Sequence, residues 1–333
     1  MPNTDETLQS LTAIPNLHVQ TQVPLSAYTR FALGGPADLL AETADPEAFV
    51  DALKVARKSG MNHTVIGGGS NLIVADAGYR GLILKFSGNS IQIREEFVTV
   101  EAGAVLQTLV DTANAAGLKG LETMTGIPGF TGAAIYGNAG AYGHSISERV
   151  ATVSFHDGQS IRTFTNHDCE FHYRESVFKR HKEWVILSAE LSLTAAEVAE
   201  LTKTSAGILA IRNEKYPPTM KCAGSIFKNF LLAELPPHVA ADLPANVIRE
   251  GKVPSAYFLE KAGAKGLSQG DIHVAAYHAN LIFNGGAGMA SDLRILIGNL
   301  KRRVHDLFGI TLEEEVQYVG FDSEARSIQH PAG

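Results

Sequence analysis

The stretch Val65-Ile66-Gly67-Gly68-Gly69-Ser70-Asn71-Leu72 places three consecutive glycines between two apolar segments. Consecutive glycines allow several backbone N–H groups to point the same way, and such a cradle suits a pyrophosphate. The side chains of Ser70 and Asn71 supply further donors. A tight turn inside a sheet accounts for the glycines equally well, so both interpretations stay open at this point.

The residues on either side of this loop predict a small α/β unit. Asp45-Pro46-Glu47 is typical of a helix start, and Gly60 of its end. The strand-like segments 64–66 and 72–74 flank the glycines. A GxGxxG motif that opens a helix is absent here, which argues against a Rossmann dehydrogenase.

A second glycine-rich stretch runs from Gly126 to Gly143, with six glycines and almost no charge. We expect a long loop here. Such a long apolar loop is better explained by backbone packed against a flat ligand, for example an isoalloxazine ring, than by bare surface. The alternative is a glycine-rich junction between a helix and a sheet.

The bulk composition excludes several classes of protein. The net charge of −7 argues against a general nucleic-acid binder, which needs a basic face. Cys169 and Cys222 are too few for a disulfide framework, so we expect a reducing, cytoplasmic compartment. No secretory signal opens the chain and no apolar run of about 18 residues predicts a membrane span. None of the twelve histidines has the spacing of a metal site.

Taken together, the two glycine loops resemble the FAD-binding region of the UDP-N-acetylenolpyruvoylglucosamine reductases, the MurB family. Later motifs follow in the family's order and extend the resemblance from about Thr29 to Gly320. These motifs are Phe171-His172-Tyr173-Arg174-Glu175-Ser176-Val177-Phe178-Lys179, Ala223-Gly224-Ser225-Ile226-Phe227-Lys228-Asn229, His278-Ala279-Asn280, and Phe308-Gly309-Ile310-Thr311-Leu312-Glu313-Glu314-Glu315-Val316. The short interval between the arginine and serine motifs is similar to the family's shorter type, which lacks an inserted lid tyrosine.

The resemblance implies an α+β fold. We expect an FAD-binding fold of the vanillyl-alcohol-oxidase/PCMH type in two subdomains, 20–88 and 89–214, with the C-terminal strand 310–320 joining the second. A separate α+β substrate-binding domain is expected over 215–309. The ends, 1–19 and 321–333, are expected to be flexible.

The resemblance also implies the chemistry: non-covalent FAD accepts a hydride from NADPH and passes it to an enolpyruvyl double bond. The substrate is UDP-N-acetylglucosamine-enolpyruvate and the product UDP-N-acetylmuramate, a peptidoglycan precursor. Arg174 matches the family's carboxylate-binding arginine, Ser225 its general acid, and Glu315 its glutamate. The run Glu313-Glu314-Glu315 leaves the register open, and we favour Glu315 because Val316 follows it.

The residues expected at the cofactor come from the two loops and one helix. They are Gly67, Gly68, Gly69, Ser70, Asn71, Leu72, Gly126, Ile127, Pro128, Gly129, Gly132, Ala133, Asn138, Gly140, Ala141, Tyr142 and Arg212. Lys215, Asn229 and His278 are expected at the UDP-linked substrate, in a monomer without metal.

Two other functions predict sequence features that differ from those of this chain. An FAD-dependent alcohol or sugar oxidase of the same fold would carry a covalent-attachment histidine or cysteine near the glycine loops, and neither loop contains one. A non-catalytic UDP-sugar binder would have lost at least one of Arg174, Ser225 and Glu315, and all three are present.

Overall fold

The computed structural model describes residues 4–321, and these residues divide into two compact units. The first unit contains the described residues before Pro24, together with Ala37–Gly69 and Gly81–Pro218. The second contains Pro24–Pro36, Ser70–Arg80 and the chain from Thr219 onward. Residues 70–80, expected within the first of three parts, thus belong with the C-terminal part of the chain. The three-part division itself remains a prediction.

The α-helices of the described residues are α1 (Thr4–Thr12), α2 (Pro46–Ser59), α3 (Leu106–Ala115), α4 (Thr131–Tyr136), α5 (Val177–Arg180), α6 (Val198–Lys215), α7 (Pro237–Ala241), α8 (Ser255–Lys261) and α9 (Ala290–Phe308). The β-strands are β1 (His18–Pro24), β2 (Pro36–Thr43), β3 (His63–Ile66), β4 (Leu72–Val74), β5 (Tyr79–Phe86), β6 (Ile91–Arg94), β7 (Phe97–Glu101), β8 (Leu118–Lys119), β9 (Gly140–Ala141), β10 (His144–Ser145), β11 (Val150–His156), β12 (Ile161–Thr165), β13 (Val185–Ser192), β14 (Thr194–Ala195), β15 (Phe230–Leu231), β16 (Lys252–Val253), β17 (Ser268–Gln269), β18 (Ile272–Val274), β19 (Ile282–Asn284) and β20 (Gln317–Val319).

Two sheets form the framework of the first unit. One has the strand order β1-β2-β5-β3, with β3 and β5 parallel. The other has the order β12-β11-β13-β7-β6, and its neighbouring strands are all antiparallel. Alternation along β7 buries Val98 and Val100 and exposes Phe97, which is the pattern of a sheet with one covered face. The mixture of helices and strands confirms the predicted α+β class.

Helix α2 shows how local sequence sets an element of the first unit. The Asp45 side chain accepts hydrogen bonds from the backbone N–H groups of Glu47 and Ala48 at 2.9 and 3.3 Å. These bonds satisfy donors that have no partner within the helix. The pKa of the Asp45 carboxyl lies below its usual value, first because it accepts a hydrogen bond from the Asn16 side chain and then because of these two backbone bonds. Gly60, with φ +66°, ends the helix in the left-handed region. Both predicted ends are confirmed.

The second unit combines short strands with a long amphipathic helix. β4 pairs in parallel with β20, with Leu72 opposite Gln317 and Val74 opposite Val319. β17, β18 and β19 form an antiparallel sheet. Helix α9 ends at left-handed Gly309 and buries one side, on which Leu293, Leu296, Ile297, Leu300 and Val304 lie.

Three predictions differ from the structure. The stretch 126–143, expected to be one long loop, contains helix α4 and the short strands β9 and β10. The first part of the expected flexible end 1–19 forms α1, whose Leu11 is fully buried. The strand 310–320 is expected to join the second FAD subdomain. In the structure, β20 pairs instead with β4, at residues 72–74. The expected flexible tail after Phe321 lies outside the described residues.

None of the helices described over residues 4–321 could span a lipid bilayer.

The aromatic cluster around Phe155 is expected to stabilise the first unit. Phe155 is fully buried, and its ring centroid lies 4.7 Å from that of Phe164, 5.2 Å from that of Phe178 and 4.9 Å from that of Trp184. Phe155→Ala should lower the free energy of unfolding by about 3–5 kcal/mol in urea denaturation, because it leaves a cavity. Ile161→Ala, at a side chain that is 59% exposed, is the matched control and should cost less than about 1 kcal/mol.

Candidate active site

The two predicted glycine loops of the first unit lie against each other. A Cβ atom added to Gly68 would lie 3.0 Å from the Cα of Gly129 and 3.2 Å from the Phe130 ring. A Cβ added to Gly67 would lie 3.3 Å from the Ala133 Cβ. The backbones therefore approach each other closely, as a cradle built from main chain requires.

Arg212 joins the second loop from helix α6. A Cβ on Gly126, whose φ is +76°, would lie 3.1 Å from the Arg212 Cδ, so the arginine side chain packs directly on that glycine. The Gly126 N–H donates to Gln107 Oε1 at 2.6 Å, which anchors this end of the loop. The structure thus brings Arg212 to the loop with which it was predicted to act.

Thr125 lies immediately before this loop and was not predicted. Its side chain is 1% exposed, and its hydroxyl oxygen has no hydrogen-bond partner within residues 4–321. Buried polar atoms in folded proteins nearly always have a partner, so an orphan hydroxyl next to a glycine cradle fits a polar ligand bound there. In the sequence, Thr125 is distinguished only by its position directly before Gly126.

The remainder of the second stretch is more regular than expected. β9 and β10 form a hairpin with Ala141 opposite His144. The two connecting residues, Tyr142 and Gly143, have φ values of +53° and +82°, which matches the primed turns that two-residue hairpins require. Tyr142 is therefore at a hairpin tip, with 47% of its side chain exposed.

Arg174 belongs to the first unit and contacts this hairpin. Its Nη2 donates to the Gly140 carbonyl at 2.8 Å and its Nη1 to the Asn138 carbonyl at 3.4 Å. The guanidinium carbon lies 5.4 Å from the centroid of the Tyr173 ring. Two backbone carbonyls thus hold an always-charged group in a half-buried position.

Tyr136 is far from the arginine motif in the sequence but contacts it in the structure. Ser176 Oγ donates to the Tyr136 carbonyl at 2.7 Å. Burial, and then the charge of Glu175, raise the pKa of Tyr136 to about 12. The phenol therefore stays protonated at neutral pH and is no proton acceptor there.

Ser225 and Glu315 both belong to the second unit, where residues 225–228 run between two other segments. On one side Ser225 forms an antiparallel bridge with Leu281, and Ile226 N–H donates to the Asn280 carbonyl at 3.1 Å. On the other side the Glu315 N–H donates to the Ile226 carbonyl at 2.8 Å. Ser225 directly precedes Ile226 in the chain, and Glu315 bonds to the Ile226 carbonyl. Two predicted catalytic residues that are 90 positions apart in the chain therefore both adjoin Ile226.

The three consecutive glutamates differ in their contacts. Glu313 pairs with the buried Lys228, and Glu314 Oε1 lies 2.9 Å from the Lys301 Nζ. Burial, and then Glu314, raise the pKa of Tyr318 above its usual range. The carboxylates of the first two glutamates thus each pair with a lysine. The choice of Glu315 stays a prediction from the motif, in which Val316 follows it.

Asn280 fixes the backbone beside Ser225. Its amide Nδ2 donates to the Phe227 carbonyl at 2.9 Å, and its Oδ1 accepts the Phe227 N–H at 2.9 Å. The same Nδ2 donates to Ser255 Oγ at 2.8 Å. The Asn280 N–H donates to His278 Nδ1 at 3.1 Å, so the His278 ring carries its hydrogen on Nε2.

The other two predicted substrate residues belong to different units, and only Lys215 is exposed. Lys215 ends helix α6 in the first unit, exposed, with its Nζ 5.0 Å from the centroid of the Tyr216 ring. Asn229 in the second unit accepts the Ser255 N–H at 3.4 Å through Oδ1. Asn71, predicted at the cofactor, donates its Nδ2 to the Glu315 carbonyl at 2.9 Å.

Comparison with known proteins decides the family. Residues 37–160 match the family described as FAD binding domain, and residues 216–319 match the C-terminal domain of UDP-N-acetylenolpyruvoylglucosamine reductase. The UDP-N-acetylenolpyruvoylglucosamine reductase of Solibacter usitatus is 63% identical over 310 residues, which cover 93% of this chain and 99% of that protein. The chain belongs to the UDP-N-acetylenolpyruvoylglucosamine reductase (MurB) family.

Other members of the family agree with this assignment. The Bacillus licheniformis reductase is 34% identical over 320 residues, 95% of this chain and 99% of that protein. The crystal structure of the Thermus caldophilus reductase, also described as MurB, superposes with a TM-score of 0.71 at 28% identity and covers 91% of this chain and 99% of that one. The predicted family and FAD-binding fold are confirmed.

The two cysteines are expected to be inert in the folded chain. Both are fully buried, and burial, followed by the charge of Asp168, raises the pKa of the Cys169 thiol to about 12. Because the thiolate is the reactive form, Ellman's reagent at about pH 8 should label neither thiol in the native protein and both after unfolding. Rapid native labelling of Cys222, three residues before Ser225, would show that it is accessible near the candidate acid and would contradict this prediction.

Proposed function

We propose that this chain reduces the enolpyruvyl group of UDP-N-acetylglucosamine-enolpyruvate to give UDP-N-acetylmuramate, with NADPH as reductant and FAD as cofactor, in peptidoglycan precursor synthesis. The observation that carries the proposal is the hydrogen bond from the Glu315 N–H to the Ile226 carbonyl. It holds the candidate acids Ser225 and Glu315 on neighbouring segments, in a chain that belongs to this reductase family.

The first unit has a cradle suited to FAD. FAD, when bound, supplies a hydride acceptor for NADPH and a hydride donor for the enolpyruvyl methylene carbon. Gly67, Gly68, Gly69 and Gly129 would approach it with backbone, and Arg212 would meet its diphosphate with a fixed positive charge. We also assign to FAD the first-unit residues Ile127, Pro128, Gly132, Ala133, Ala141 and Tyr142, and the second-unit residues Ser70, Asn71 and Leu72. Neither loop contains histidine or cysteine, so we propose non-covalent binding.

Arg174 would bind the substrate carboxylate. A guanidinium has five donors in a planar fork, so it can grip a carboxylate in bidentate fashion while also bonding backbone carbonyls. Hydride addition at the methylene carbon moves negative charge onto the adjoining carbon and the carboxylate. A fixed cation at the carboxylate stabilises that developing charge more than it stabilises the ground state.

Ser225 would deliver the proton that completes the reduction at the adjoining carbon. A serine hydroxyl is a weak acid in water, so it can act only on a strong acceptor such as an enolate or through a relay. The carboxyl of Glu315 is assigned to the enolate oxygens, where it would pair with a cation or donate a proton. Neighbouring backbone bonds hold both residues, so little reorganisation is needed at the moment of transfer.

The remaining assignments concern partners and surroundings. We assign Lys215 and Asn229 to the UDP part of the substrate or to NADPH, and His278 to the substrate through its Nε2 hydrogen. We propose that the chain acts in the cytoplasm, as its two cysteines predict, and that it acts as a monomer.

The flavin spectrum tests the function directly. Purified protein should show oxidised-flavin absorbance that NADPH bleaches and that the UDP-enolpyruvyl sugar restores under anaerobic conditions. Ser225→Ala should leave bleaching nearly intact and slow restoration by roughly 10²- to 10⁴-fold, the range for loss of a general acid. Unchanged restoration in stopped-flow measurements would remove Ser225 from this role.

The three glutamates can be separated by matched substitutions. Glu315→Gln should slow restoration of the flavin by roughly 100-fold or more, because the amide cannot donate a carboxyl proton. Glu313→Gln and Glu314→Gln should leave that rate within about threefold, since their lysine partners are structural; Glu314→Gln should still lower the melting temperature, because it leaves the Lys301 charge with a neutral amide. A large rate loss in Glu314→Gln with normal rates in Glu315→Gln would show that the register is shifted by one.

A further inference from the structure

Arg174 has a backbone conformation that its residue type does not favour. Its φ is +57°, in the left-handed region where glycine and asparagine are common and arginine is rare. It is the third residue of a tight turn closed by two hydrogen bonds, His172 N–H to the Glu175 carbonyl at 3.0 Å and Glu175 N–H to the His172 carbonyl at 3.1 Å. Such a conformation persists only where the surroundings hold it.

Two side chains from outside this turn bond to its backbone: Asn138, which follows helix α4, and Lys179 of helix α5. Asn138 Nδ2 donates to the His172 carbonyl at 2.8 Å. Lys179 Nζ donates to the Arg174 carbonyl at 2.8 Å and lies 2.8 Å from Glu175 Oε1. Each bond ends on the turn itself, so the loss of either releases the constraint on the Arg174 backbone.

Asn138 also positions the guanidinium. It is 6% exposed, and its Oδ1 accepts the Ser147 N–H at 3.3 Å. Its own carbonyl accepts from Arg174 Nη1. Both ends of the amide are thus bonded to the backbone of neighbouring segments, and the main chain of the same residue contacts the arginine side chain.

We propose that Asn138 and Lys179 are positioning residues for Arg174, and that they keep its guanidinium plane in the orientation that a bidentate carboxylate contact requires. The inference rests on the proposed function. It also changes the role expected for Asn138, from a cofactor-binding residue to one that acts through Arg174. Bidentate geometry depends on orientation as well as charge, so a relaxed turn should weaken binding even though the arginine is still present.

The test compares the two half-reactions and FAD binding. Asn138→Gly removes the amide but tolerates the positive φ of +41°, and Lys179→Met removes the ammonium with little change in volume. Each should leave FAD affinity and NADPH-driven bleaching within about threefold, and should weaken the apparent affinity for the enolpyruvyl substrate by roughly 10- to 100-fold, as for loss of a hydrogen bond to a charged or buried partner. Lys179→Met carries the test if Asn138→Gly does not fold.

The control is another buried asparagine of the same unit. Asn114, 6% exposed, donates Nδ2 to Ser205 Oγ at 2.8 Å and makes none of the contacts described for the arginine turn. Asn114→Ala should lower thermal stability and leave the affinity for the enolpyruvyl substrate within about threefold, which separates positioning from general loss of stability.

A double substitution decides between positioning and independent roles. Added to Arg174→Ala, Asn138→Gly should cause little further loss, because both act on one contact. Additive losses, or a loss of FAD affinity with normal restoration of the flavin, would overturn the inference. If Arg174→Ala alone leaves reaction with the enolpyruvyl substrate unchanged, the proposed function of Arg174 is wrong instead.

Discussion

The second unit depends on backbone hydrogen bonds between segments that are far apart in the sequence. Leu25 N–H donates to the Gly35 carbonyl at 3.0 Å, Gly35 N–H to that of Ala75 at 2.9 Å, and Ala75 N–H to that of Val319 at 2.9 Å. A Cβ on Gly320 would collide with the backbone of Gly78, so this layer closes only with glycine there. The register of β20 is thereby fixed, and with it the position of Glu315, two residues before the strand begins.

The elements that sequence predicts well have strong local signals. Helix α2 has a capping aspartate, a proline at its first position and a left-handed glycine after its end, and α9 has a long amphipathic pattern ending at Gly309. Helix α4 was missed because six residues rich in small side chains show too little of a helical period. β20 has only three residues, and its partner was not predictable because strand pairing over such a distance leaves no local pattern.

The candidate site was partly predictable for a similar reason. The sequence motifs identify Arg174 and Ser225 because these two residues have distinctive neighbours in the chain. Sequence alone does not show that the backbone of Arg174 is left-handed, since the strain is maintained by distant contacts. Nor does it show that Glu313 pairs with Lys228 and Glu314 with Lys301. The choice of Glu315 rests on the valine that follows it in the sequence.

In each unit, the side-chain amide of an asparagine supports the backbone beside a candidate residue. Asn138 bonds backbone groups of two segments around Arg174, and Asn280 brackets the N–H and carbonyl of Phe227 beside Ser225. An asparagine amide carries a donor and an acceptor in one plane, so it can replace one peptide of a strand where the chain is too irregular to form a sheet. An orphaned buried polar group costs about 1–3 kcal/mol, so each amide favours a single arrangement of the peptides that it joins. The side chains of Arg174 and Ser225 can then be placed by backbone that is held through other residues, which is what a site organised before substrate binds requires.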